Sequence, residues 1–272
     1  MNSIIQMLSY PFAIRALVAG VLISLCGALL GVNLVLKRYS MLGDGLSHVA
    51  FGAAAIGLAA GIAPLKVSIP VVIVAAFLLL RLNQSGKLKG DAATALVSSG
   101  ALAVGIIVAS LTTGLNTDIN NYMFGSVLTL SGDDVTAAVM VAAVSLIFYA
   151  VCYRSIFAVA FDEDFSRASG KRVEFYNSCM AVLTAVCVVI GMRIMGALLI
   201  SSIMTFPAIS AMRLCKRYKT VVAVSAVVSV AAFITGLLLS FAYDMPAGAS
   251  VVVVNLLFFV VFSIIAKIKK KS

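Results

Sequence analysis

Apolar stretches of about twenty residues recur from one end of this 272-residue chain to the other, and that recurrence limits the fold more than anything else in the sequence. A segment of that length crosses the hydrocarbon core only as a helix, because lipid offers its backbone no hydrogen-bond partners. Nine stretches fit: 12–36, 45–61, 65–81, 92–113, 135–153, 175–191, 194–212, 220–242 and 248–266. The number falls to eight if the sixth and seventh, separated only by Gly191-Met192-Arg193, are one span, or if the short second one does not cross. Composition agrees: 62% of residues are hydrophobic and 11% charged, against roughly 25% charged in soluble domains. The expected fold is all-α, a polytopic membrane bundle of eight or nine helices in a single domain covering 1–272. The first apolar run is longer than the core of a signal peptide and follows no basic cluster, so it reads as a retained span.

A formal net charge of +10 would suggest nucleic acid as a partner of a soluble protein. Here the basic residues mark the inner face of a membrane instead. With Lys267 to Lys271 inside, alternation of the spans places all of the 20 Lys and Arg residues on the cytoplasmic side except Arg15, Lys66 and Arg193. The expected topology is N-out, C-in, with the acidic Asp118, Asp133 and Asp134 outside. Five cysteines without CxxC spacing read as small buried hydrophobes.

Asp44 and His48 stand four residues apart where the second apolar helix begins, and His48 is the only histidine. Positions i and i+4 share one helix face, so carboxylate and imidazole can hold one metal ion. Ionisable groups in a membrane helix cost about 3 kcal/mol or more unless paired or facing water, which makes them functional candidates. A helix-start aspartate beside a neutral packed histidine fits the same residues, because one chain offers two ligands where zinc takes four. The span boundaries put Asp44 near the inner end of the membrane, whereas a gated site belongs deeper. Either the helix begins before 45 or Lys37 to Met41 folds into the bundle.

Other stretches carry chemistry less directly. The inner loop Phe161-Asp162-Glu163-Asp164-Phe165-Ser166-Arg167-Ala168-Ser169-Gly170 reads as a short amphipathic helix. Asp162 caps its start, Gly170 stops it, and Phe161, Phe165, Ala168 and Ser169 share a face. Such a helix suits docking to a soluble partner, and equally an interfacial helix without one. In the seventh span, Pro207 frees a backbone carbonyl, and with Ser201, Ser202 and Thr205 it either lines a polar pathway or only kinks the helix. Tyr122 to Leu130 is apolar but too short to cross, and reads as interfacial or re-entrant. The chain has no GxxxxGK[ST] phosphate loop and no HExxH or GxSxG pattern, so ATP hydrolysis and intramembrane hydrolysis are not expected of it.

Together these segments resemble the integral-membrane permeases of ATP-binding-cassette importers for zinc and manganese. The likeness rests on five blocks in order: Met41 to His48; Asp118 to Leu130, similar to a D-x-x-x-Y-x-F-G-x-x-L stretch; Phe161 to Gly170, similar to F-D-x-x-x-A-x-x-x-G; Met195 to Arg213, with Gly196-Ala197-Leu198-Leu199 and Phe206-Pro207-Ala208; and Tyr243 to Gly248, similar to D-x-P-x-G. The resemblance implies a transport subunit rather than an enzyme, without a permanently bound cofactor. It would work in the cell membrane as a pair of copies, with ABC ATPase subunits beneath and an extracytoplasmic metal-binding protein above, and no nucleic acid. It also implies that Asp44 and His48 bind the transported ion, zinc ahead of manganese or iron(II), and that two copies complete a four-ligand shell. Phe161, Asp162, Phe165, Arg167 and Gly170 would then belong to the helix resting on the ATPase. Serine at 166, where alanine is usual, leaves the contact face of that helix open. The alternatives are a stand-alone transporter or channel relaying protons or cations through Asp44 and His48, and a membrane enzyme using the pair as a hydrolytic metal site.

Overall fold

The computed structural model describes residues 11–84, 90–112, 125 and 130–271. Ten helices run through them: α1 (Pro11–Leu36), α2 (Leu42–Ala59), α3 (Pro64–Gln84), α4 (Gly90–Leu111), α5 (Gly132–Phe161), the six-residue α6 (Glu163–Ala168), α7 (Val173–Met195), α8 (Ala197–Leu214), α9 (Tyr218–Tyr243) and α10 (Ala247–Lys271). All but α6 are long and apolar enough to cross a membrane, nine among the described residues, as the apolar runs predict. Most of the segment 122–130 lies outside the described residues.

Three boundaries differ from the sequence reading, each for a physical reason. Helix α2 starts at Leu42 rather than 45, because the segment before it folds back onto the end of α1. Helix α5 continues past 153 through Arg154 to Phe161, since nothing there breaks a helix until Asp162 turns extended. Helix α7 runs straight through Gly191-Met192-Arg193 and breaks instead at Gly196, whose φ of 90° and ψ of 159° lie in a region that side chains exclude. The sixth and seventh spans are therefore two helices.

Helix α1 occupies the middle, packed against α5, α7, α8 and α9. On one side of it α2 is wedged among α3, α4, α7 and α8; on the other lie α9 and α10. Small residues set these spacings, as expected where lipid supplies no hydrophobic drive between helices. A β-carbon on Gly31 would lie 1.9 Å from the Met204 carbonyl oxygen of α8, so the α1–α8 crossing requires glycine. Polar side chains tie the same core: Ser229 of α9 donates to the Ser24 carbonyl of α1 at 2.9 Å. Asn33, Tyr149 and Tyr218 form a closed hydrogen-bonded triangle joining α1, α5 and α9. At the opposite end from Lys37 and Lys267, Arg193 pairs at 2.8 Å with Asp134, which also forms a capping box with Ser131 at the start of α5.

Candidate metal centre

The site begins with the turn that delivers α2. Leaving α1, Lys37 N–H donates to the Asn33 carbonyl and Tyr39 N–H to that of Leu34 at 2.7 Å, while Arg38 takes a left-handed φ of 61°. Leu42 N–H then donates to the Tyr39 carbonyl and α2 is under way. The chain thus reverses within five residues and enters α2 at Leu42, so Asp44 lies inside the helix rather than before it.

From Leu42 to Ala55 every residue of α2 is buried except Asp44 and His48. Glycines make that possible. Gly43 lies under Met204 of α8 and Gly45 under Thr94 of α4; at Gly52 an added β-carbon would lie 2.5 Å from the Ala101 carbonyl oxygen. With the rest of the helix walled in, the i,i+4 pair is left as a single open stripe. The Asp44 side chain is 44% exposed and that of His48 26%, and Asp44 Oδ2 stands 3.6 Å from His48 Nε2. Two ligands of a tetrahedral zinc, with bonds of about 2.1 Å, stand about 3.4 Å apart. The observed spacing therefore admits an ion after a small adjustment of either side chain. Among the described residues, no group of three or more His, Cys, Asp or Glu side chains is close enough to hold an ion. Asp44 and His48 thus offer two potential ligands on one chain, and both face outward.

Helix α8 runs beside this stripe. Ser201 and Thr205 are partly exposed, next to the buried Met204 that covers Gly43, whereas Ser202 and Pro207 are turned into the bundle. All three hydroxyls donate back to carbonyls of their own helix, Ser201 to Leu198, Ser202 to Leu199 and Thr205 to Ser201, a pattern that tends to bend helices. Pro207 has no N–H to give the Ile203 carbonyl.

At the basic end of the bundle, Asp162 Oδ1 accepts from Phe165 N–H at 2.9 Å and so caps α6. The helix closes with Lys171 N–H on the Ser166 carbonyl and Gly170 at φ 77°, a glycine-terminated C-cap. Phe161 and Phe165 point away from the bundle, 80% and 68% exposed, and Ala168 and Ser169 are exposed with them. The residue turned inward is Ser166, buried at 1%. The serine at 166 thus faces the bundle, while Phe161 and Phe165 lie on the exposed side. Arg167 pairs with Glu174 of α7 at 2.8 Å in a fully accessible position.

Sequence reasoning missed one cluster. Lys37 donates to both Glu163 of α6 and Asn177 of α7, and the Asn177 amide donates to the same Glu163 oxygen at 3.1 Å. The Lys37 side chain is 15% exposed. Burial pulls its ammonium below the usual lysine range, while the hydrogen bond and charge of Glu163 push it back up. In the sequence, Lys37 and Arg38 look like one basic pair marking a loop; only the left-handed turn at Arg38 separates them, and no residue pattern announces it.

Comparison with known proteins concerns the chain as a whole. The sequence profile of the ABC 3 transport family matches residues 9–266. The high-affinity zinc uptake system membrane protein ZnuB of Haemophilus influenzae is 27% identical over 90% of this chain and 94% of its own length. The manganese import system permease protein ScaB of Streptococcus gordonii is 26% identical, over 94% of this chain and 92% of that one. Among solved structures, PsaBC from Streptococcus pneumoniae in complex with Fab superposes with a TM-score of 0.85 at 24% identity, covering 96% of this chain and 94% of that one. At that identity the structural likeness speaks for the fold.

Proposed function

The chain belongs to the ABC 3 transport family, and from that premise we propose that it is the membrane permease of an ATP-driven importer of divalent metal ions. The names carried by its relatives, zinc uptake in one and manganese import in another, support metal as the cargo. Zinc comes first, since Asp and His in a near-tetrahedral spacing suit it, with manganese and iron(II) as the competing ions. The observation that carries the reading is the open stripe of Asp44 and His48 in the otherwise buried stretch Leu42 to Ala55 of α2.

Two copies related by a two-fold axis would bring two Asp and two His together, giving four ligands from a chain that supplies two. The whole chain serves as one permease domain, N-out and C-in in the cytoplasmic membrane, with its basic end inside. An extracytoplasmic metal-binding protein delivers the ion, and ATPase subunits dock on the exposed face of α6. ATP hydrolysis belongs to those partners. The ion passes by ligand exchange to the Asp44 carboxylate and the neutral His48 imidazole, and leaves when movement of the two copies pulls the paired ligands apart. Ser201 and Thr205, on the partly exposed side of α8, serve as oxygen donors along the way, and Pro207 gives that helix room to bend.

The test uses the assembled importer in vesicles. Asp44→Ala together with His48→Ala is expected to lower zinc and manganese uptake by about 100-fold or more while the complex still assembles, since even outer-shell changes cost 10–100-fold. Unchanged uptake would refute the site. Uptake by the permease alone, driven by a proton gradient without ATPase or ATP, would instead establish a stand-alone transporter.

A further inference from the structure

The end of α1, the first residue of α6 and the body of α7 meet in one buried polar knot, and its position has a mechanical consequence. Lys37 is the first residue beyond α1, and only the tight turn to Met41 separates it from α2. That turn is internally hydrogen-bonded, with Tyr39 on Leu34 and Leu42 on Tyr39, so it moves as a piece. Asp44 lies two residues into α2. On the other side, Glu163 opens α6, whose outer face bears Phe165, next to the exposed Phe161 at the end of α5. The other polar tie of α6 to the bundle among the described residues, Arg167 to Glu174, reaches only α7. One link from α6 to the start of the Asp44/His48 helix thus runs through Glu163 and Lys37, beside a second through α7, which also packs against α2. A cavity of about 40 Å³ lies behind the turn, lined by Lys37, Tyr39 and Leu42 on one side and Ile156, Asn177 and Met180 on the other.

We propose that the Lys37–Glu163 bridge is a positioning pair that carries displacement of α6 to the start of the Asp44/His48 helix, so that movement at the ATPase face changes the setting of the metal ligands. This rests on the permease reading above. Asn177 holds the bridge in register, and because its amide both donates and accepts, it can serve a pair of either polarity. Lys37 and Glu163 touch neither ion nor nucleotide; they act through α2.

The experiment measures metal uptake and ATP hydrolysis by the complete importer in the same vesicles, for the unaltered protein, Glu163→Gln, Lys37→Met, and the exchange Lys37→Glu with Glu163→Lys. The single variants are expected to assemble and hydrolyse ATP while metal moved per ATP falls about tenfold, within the usual range of coupling between sites, and the exchange to recover much of it. An unchanged ratio in Glu163→Gln would overturn the proposal. So would uptake and hydrolysis falling in proportion with no recovery in the exchange, or failure of the single variants to assemble, since the pair would then serve only to hold the fold. These outcomes are distinct from failure of the permease reading, in which the unaltered complex itself would not move metal with ATP.

Discussion

Helices α2 and α10 are both long enough to cross a membrane, yet 72% of the core of α2 is buried inside the protein against 22% for α10. Their sequences follow from that. Helix α10 is apolar nearly all round, with Val253, Leu256, Leu257, Val260 and Val261 exposed. Helix α2 meets other helices and can carry an aspartate, a histidine and four glycines, because neighbouring backbones rather than lipid cover it. A polar stripe in a membrane therefore needs a wall on every other side. In α2 that wall is made by removing side chains, and the two residues left standing are the chemical ones.

The strongest way to break this contrast is to thicken α2 where it touches α4. At Gly52 a β-carbon would meet the Ala101 carbonyl, a backbone atom that cannot rotate aside. Gly52→Val is expected to destabilise the protein by about 3 kcal/mol or more, read as loss of the monodisperse peak in detergent and a lowered Tm. If the variant were as stable as the parent, close approach of α2 and α4 would not be what isolates Asp44 and His48.

The second break concerns the entry to α2. Its start is held by a mostly buried ammonium, while the polar end of α10 carries exposed Lys267 and Lys269. Removing the partner in Glu163→Gln strands the Lys37 charge and is expected to cost about 2–3 kcal/mol at neutral pH. The loss should shrink as pH rises towards 10.5. Burial already holds Lys37 below that value, and without Glu163 it drops further, so the unfolded chain binds more protons across a wider window and stability climbs with pH. Tyr39 works in the same direction: burial and then Glu163 push its hydroxyl up, and deleting Glu163 lessens the stability lost as pH passes 10. Chemical denaturation of both proteins from pH 7 to 10 checks this. A gap that widened with pH would contradict the sign.

How far α2 could be understood before its coordinates depends on which physical signal each residue carries. Spans are legible because apolar length is a one-dimensional property, and Asp44 and His48 because charge in an apolar helix is conspicuous. Asp162 and Gly170 were readable as the start and stop of α6 since capping is local. The break at Gly196 was misplaced to Gly191-Met192-Arg193: a glycine that continues a helix and one that ends it are the same letter, and only φ distinguishes them. Glu163 was hidden for a different reason. Its partner Lys37 lies 126 residues away, and pairing at that separation leaves no trace in a single sequence. The proposed two-copy shell is likewise invisible in one chain, which offers only Asp44 and His48 where zinc takes four ligands.

The smallest expected effect is on α10 itself. Leu257 is 57% exposed, and if lipid covers it, the lipid simply follows the shortened side chain in Leu257→Ala. The change should cost less than about 1 kcal/mol, the difference expected from the insertion preferences of the two residues, because no protein cavity is left behind. Thermal unfolding in lipid nanodiscs measures it. A loss of about 2 kcal/mol or more would have the size of a core truncation and would place a protein surface, not acyl chains, against this face. The exposure of α10 would then be a property of the single chain, as the open stripe of α2 is proposed to be, and the contrast between the two helices would lie in what covers them in the assembled importer.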